Sequence, residues 1–291
     1  MIALHIGGDG VSTWAAWSLD PIALVLVPLS AWLYARGLAR SQGSRRQRHP
    51  AWRPAAFYAA LATIFVALVS PLDHLADELF LAHMVQHLLL VSVAPPLLLL
   101  SAPMIPVLRG VPRGVRRALV IPGLKSPLVR VPLRFVAQPL VAWPLYVTAL
   151  LAWHIPNAFE LALRNPAAHL LEHVIFLGTA VLWWWNVVDP VPLKPNLSYL
   201  ARVPYIFLTT VPVFVLGAFL TFSPSAWYGH YSASTPDYGL TPLEDQQLGG
   251  IIMWIPGSLI LMTALLIVLL FVVHTEERQQ RERETRLTPG T

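Results

Sequence analysis

Two short runs carry most of the chemistry in this chain: His83-Met84-Val85-Gln86-His87 and His169-Leu170-Leu171-Glu172-His173. Residues four apart on a helix lie on one face, about 6 Å along the axis, so each run aims two imidazoles in one direction. Neutral imidazole is a ligand for zinc, copper, iron and nickel. The 291 residues contain no cysteine, so thiolate ligands, disulfides and iron–sulfur clusters are excluded and any metal site must be rich in nitrogen. His83, His87, His169 and His173 are therefore the candidate metal ligands. They could close one four-nitrogen site, form two sites, or form one that also takes in His154. Glu172, Asp245, Met84 and Met253 are accessory candidates, the two thioethers because sulfur suits Cu(I). Asp245, Gly249 and Met253 fall on one helix face at spacings of four, and Gly249 with Gly250 would admit a neighbouring helix closely.

Other chemistries compete for the same residues. His169 to His173 reads literally as H-x-x-E-H, a zinc-peptidase pattern in which Glu172 would activate water. No third protein ligand is fixed by the sequence for that reading. Haem with axial histidines from two helices would use two of the four imidazoles. A carboxylate-bridged di-iron site wants several Glu-x-x-His units, and only Glu172 lies beside the histidine pairs. No nucleotide-binding loop, nucleophile elbow or dinucleotide fingerprint is present.

The elements that must position these residues follow from composition. Of the residues, 56% are hydrophobic and 12% charged, against about 25% charged in a soluble domain. That favours an all-α, polytopic membrane protein. A crossing helix needs about 20 apolar residues, and seven stretches qualify: 19–38, 53–69, 79–100, 135–153, 168–188, 203–222 and 248–273. Nineteen of the twenty Lys and Arg fall on one side of these spans, and Arg164 alone falls on the other. The positive-inside rule makes the nineteen cytoplasmic, with the N-terminus outside and the C-terminus inside. An odd count of seven spans agrees. Residues 1–273 read as one membrane domain and 274–291 as a charged cytoplasmic tail. No basic residue precedes the first span and an arginine-rich stretch follows it, the reverse of a cleavable signal, so it reads as a permanent helix.

Eight of the ten histidines then lie outside or in outer halves of spans, and only His49 and His274 lie inside. Both pairs sit at similar depth in the outer leaflet, where an intramembrane ionisable residue marks a functional site. The basic segment 101–134 reads as lying on the anionic inner leaflet, and its spread along the membrane speaks against nucleic acid. Trp14 and Trp17, and the run Trp183 to Trp185, read as interfacial aromatic belts. Pro95-Pro96 and Pro256 are expected to kink their helices.

The same motifs resemble the CtaG family of cytochrome c oxidase assembly factors. The similar blocks are His83-Met-Val-Gln-His87 running into Val93-Ala-Pro-Pro-Leu97, Trp153-His-Ile-Pro156, His169-Leu-Leu-Glu-His173, and Asp245-Gln-Gln-Leu-Gly-Gly250 running into Met253-Trp-Ile-Pro-Gly257. They occur in family order over residues 55 to 273. The resemblance implies seven spans in a bacterial plasma membrane and a part in maturing a haem–copper oxidase at a copper-delivery step. Its partners would be an oxidase subunit and other copper carriers. It points to His83, His87, His154, His169, His173 and Asp245, with copper as the metal; zinc and haem remain the alternatives that the residue patterns offer. On this reading the site faces the extracytoplasmic side and the chain is not an enzyme.

Overall fold

A computed structural model describes residues 5–6, 16–18, 20–40, 50–191 and 197–287. Trp14, Arg45, Arg46, Arg48, His49 and Lys194, all used in the topology argument, lie outside the described residues. The chain is a helical bundle in which His5–Ile6 (β1) and Trp17–Ser18 (β2) form a minimal antiparallel pair. Helices α1 (Pro21–Ala39), α2 (Trp52–Val69) and α3 (Pro71–Glu78) come first. A third apolar length follows, α4 (Phe80–Leu88) leading through a π-helical turn at Leu89–Val93 into α5 (Ala94–Leu100). The basic segment forms short helices α6 (Met104–Gly110), α7 (Arg113–Val115), α8 (Ile121–Lys125) and α9 (Pro127–Val136). After them come α10 (Pro139–Trp153), α11 (Pro156–Arg164), α12 (Pro166–Val187), α13 (Tyr199–Thr221) and α14 (Pro242–Leu287).

Six of these lengths are long and apolar enough to cross a membrane, and the count reaches seven when α9 and α10 are taken as one bent span. The expected fourth span, 135–153, is not one straight helix. The chain turns by 73° between α9 and α10. Gln138 is extended (φ −65°, ψ 139°) because the ring of Pro139 disfavours the α conformation in the residue before it. The last span is longer than its apolar run. Helix α14 continues through the charged tail to Leu287, giving 46 residues, about 69 Å at 1.5 Å per residue. Beyond the apolar stretch it is supported by i,i+4 contacts, Arg278 to Glu282 at 3.2 Å and Gln280 to Glu284 at 3.0 Å.

Pro95 and Pro96 do more than bend their helix. Neither has an N–H, so the carbonyl of Val91 has no donor at i+4 or at i+5. The indole of Trp184 donates to that carbonyl at 2.9 Å from α12. Trp183 likewise donates to Thr209 Oγ1 at 3.0 Å and is buried. These two tryptophans therefore pin the bundle interior; the interfacial-belt reading does not hold for them. Arg202, counted among the cytoplasmic charges, is also buried and paired with Asp189.

The main core runs from Phe80 and Met84 through Phe159, Phe176, Trp183, Tyr228 and Tyr231 to Met253 and Val268. A smaller cluster joins α1 to α2, with Tyr34 stacked on Phe57 at 3.9 Å. Outward faces carry exposed Leu200, Phe207 and Phe219 on α13, and Leu259, Leu266 and Leu270 on α14, as expected where lipid covers a helix. The two glycines of α14 are used as spacers. A Cβ on Gly249 would lie 2.3 Å from Phe80 Cδ1, and one on Gly250 2.6 Å from Thr221 Oγ1. Helix α14 therefore packs tightly against both α4 and α13.

Candidate metal centre

Three helices begin at the same end of the bundle, and their first turns carry the site. Helix α12 is started by Asn165, whose side chain accepts from the amides of Ala167 and Ala168, with Pro166 at the first helical position. That start places His169, Glu172 and His173 in the first two turns. Helix α4 has no cap of its own, since Leu79 precedes it. Asp245, in the first turn of α14, supplies one from a distance: its carboxylate accepts from Phe80 N at 2.7 Å and Leu81 N at 3.0 Å. Asp245 thus fixes where α4 begins, and hence where His83 and His87 point. His154 closes α10, and its Nδ1 donates to the Leu150 carbonyl at 2.7 Å.

The five rings gather. His83 and His87 stand 4.2 Å apart between centroids and His169 and His173 4.3 Å. Across the two helices His83 is 5.4 Å from His169 and His87 is 5.6 Å from His173, with His154 6.4 Å from His87. The carboxylate of Glu172, fully buried, approaches the α4 pair: Oε2 is 3.9 Å from His83 Nε2 and Oε1 3.8 Å from His87 Nε2. One ligand atom each from His83, His87 and Glu172 lie within 4.8 Å of one another. A peptidase of H-x-x-E-H type asks the glutamate to serve the histidines of its own helix; here it is the pair on α4 that forms the tight triad with it.

The tautomers are set from behind. His83 Nδ1 lies 3.2 Å from the Tyr231 hydroxyl, which itself donates to the Ala76 carbonyl at 3.1 Å. With that hydroxyl hydrogen committed, His83 carries its proton on Nδ1 and presents a lone pair at Nε2. His154 is held in the same sense by Leu150. Tyr228 donates to the His154 carbonyl at 2.9 Å, so the segment between α13 and α14 lies over the site. Phe159, Phe176 and Tyr228 fill the surroundings, 5.0 Å from His83 for Phe159 and 4.7 Å from His87 for Phe176.

Several polar atoms of the cluster lack partners. His154 Nε2, His169 Nε2, His173 Nε2, His87 Nδ1 and both oxygens of Glu172 are buried with no hydrogen bond among the described residues. Each such group costs about 1–3 kcal/mol when left unsatisfied. Two donors bound cis to one ion at about 2.0–2.1 Å stand roughly 2.8–3.4 Å apart, and the Nε2 atoms of His83 and His87 are 2.9 Å apart. The residues present fit a metal ion. Met84 and Met253 line, with His87 and His154, a cavity of about 40 Å³ beside the rings.

Several residues around the site were not among those the sequence singled out. Tyr231 and Tyr228 sit in a loop, and Gln86, whose amide donates to the Ala67 carbonyl at 2.7 Å and to Asp73 at 2.6 Å, anchors α4 behind its histidines. The aromatic run Trp227 to Tyr231 was the available signal for the first two. His230 reaches the Asp77 carbonyl at 3.1 Å and not the ring cluster.

Comparison with known proteins places the chain in a family. The family model described as cytochrome c oxidase caa3 assembly factor matches residues 32–274. Proteins of Mycobacterium bovis and Mycobacterium tuberculosis, both described as uncharacterized, are 24% identical over 283 residues, covering 93% of this chain and 41% of theirs. The chain thus spans about two-fifths of the length of the curated relatives it matches. No solved structure matches. With the family match covering most of the chain and including every histidine of the cluster, this multi-pass membrane protein belongs to the caa3-type cytochrome c oxidase assembly factor family.

Proposed function

We propose that this chain binds copper at the histidine cluster and passes it to a haem–copper cytochrome c oxidase during assembly. The observation that supports this reading is a set of six ligand-bearing side chains gathered from α4, α12 and the end of α10, five of which carry a buried nitrogen or oxygen with no hydrogen-bond partner among the described residues. Imidazole nitrogen without thiolate holds copper exchangeably, as a carrier requires. His83, His87, His169, His173 and Glu172 would hold the ion, and His154 would stand beside it. Asp245 acts by capping α4.

The distribution of basic residues supports a cluster on the extracytoplasmic side of a bacterial plasma membrane, with the C-terminus in the cytoplasm. Partners on that side are the oxidase subunit that receives the metal and the carriers that load this chain. The test is metal analysis of chain purified in mild detergent from copper-supplied cells. Copper is expected at stoichiometric level in the wild type, and H83A/H169A should weaken retention at least about 10–100-fold. Cells carrying that variant should make oxidase short of copper. Copper unchanged in the variant overturns the assignment of the site, and a Soret band in the wild type would move it to haem.

A further inference from the structure

The donors of the cluster cannot all serve one ion. A first-row ion sits about 2.0–2.2 Å from each ligand atom, so atoms that share it lie within about 4.4 Å of each other. His83, His87 and Glu172 come near that limit as they stand. Among the described residues no other three ligand groups do, so His169 and His173 fall outside the triad. Yet the Nε2 atoms of His169 and His173 are buried and unpartnered, and their rings stand 4.3 Å apart on adjacent turns of α12. An ion in the triad leaves that pair unsatisfied.

We infer that the cluster has two metal positions, a first held by His83, His87 and Glu172 and a second held by His169 and His173. The inference rests on the copper reading of the same site and divides it. The first position offers two nitrogens and a carboxylate whose negative charge offsets that of the ion. The second offers two neutral nitrogens and binds more weakly. The positions are neighbours, with His83 5.4 Å from His169 and His87 5.6 Å from His173. A copper ion exchanges between them inside the protein without crossing the surrounding aromatic wall. The weaker position then serves loading and release, and the stronger one retention.

The experiment is an anaerobic titration of the purified, chelator-stripped full chain with Cu(I) kept reduced by ascorbate, read by metal analysis after equilibrium dialysis. Two ions per chain in two affinity steps are expected for the wild type. H169A/H173A should keep one ion with the tight step, and H83A/H87A one with the weak step. If the double variants do not fold, H83Q and H169Q separate the steps, H83Q removing the tight one and H169Q the weak one. A wild type that binds one ion, or a single histidine change that removes both steps together, overturns the two-position inference and leaves the copper reading standing. A wild type that binds no copper overturns the copper reading itself.

Discussion

Two buried polar clusters sit toward opposite ends of α12, about 22 Å apart from Glu172 to Val187 at 1.5 Å per residue, and they differ in one respect. At the end where α13 begins, Arg202 is 4% exposed and has its needs met. It donates to the Val187 carbonyl at 3.0 Å, to the Leu197 carbonyl at 3.3 Å and to Asp189 at 2.7 Å, with its guanidinium 4.4 Å over the ring of Tyr199. Tyr199 also donates to Asp189 and stacks on Phe271 of α14. At the other end, Glu172 and His154 are as deeply buried, and both Glu172 oxygens and His154 Nε2 have no hydrogen-bond partner among the described residues. Burial alone does not mark a functional site, because a satisfied charge such as Arg202 serves to lock helices. Burial without partners does, because the fold tolerates that expense only where something else completes the bonding.

The contrast can be broken at either end. The largest loss of stability from a substitution is expected at the satisfied cluster: R202M strands two carbonyls and removes the guanidinium from Asp189. Breaking a fully buried pair costs about 3–5 kcal/mol, and since Asp189 is 40% exposed the expected loss is roughly 2–3 kcal/mol in detergent unfolding. Copper binding should be untouched. A variant that loses copper while keeping its stability would erase the distinction.

A pH-dependent effect comes from an acidic group of α3. Burial, with Asp73 and Glu78 beside it, pushes Asp77 up from 3.8 to about 7. Between those values the folded chain holds a proton that the unfolded chain has released. The stabilising contribution is therefore complete below about pH 4 and is lost as pH rises through about 7. Thermal unfolding of metal-free protein across pH 4 to 8 should show that decline, and D77N should flatten it. An unchanged slope in D77N would assign the decline to another group.

The least change in stability, and the most telling, is expected at Glu172. E172Q removes a carboxylate that no donor satisfies, so metal-free protein should lose less than about 1 kcal/mol or gain slightly. Its copper affinity should nevertheless fall by about tenfold or more. Destabilisation on the scale of R202M would mean that Glu172 has a structural partner after all.

The sequence was informative where the signal is local. Spacings of four placed each histidine pair on one face, and the start of α12 follows from Asn165-Pro166, a cap and a first-turn proline. Gly249 and Gly250 announced close approach and deliver it against Phe80 and Thr221. The break before α10 was also written locally, in Gln138-Pro139, although the apolar run across it suggested a continuous span. Hydropathy ended the last helix near 273, but charged residues at i,i+4 spacing extend a helix in water as readily as apolar ones do in lipid.

What the sequence by itself determined is the class of the protein, its nitrogen-rich, thiolate-free ligand set and the face each pair occupies, because composition and helical periodicity are properties of contiguous residues. Only the tertiary structure decided that Glu172 of α12 serves the histidines of α4, that Asp245 of α14 caps α4, and that Trp184 completes the carbonyl freed by two prolines. Each of these joins atoms of helices more than 80 residues apart in the chain, and such contacts depend on which helices pack together and at what height, which no local pattern encodes.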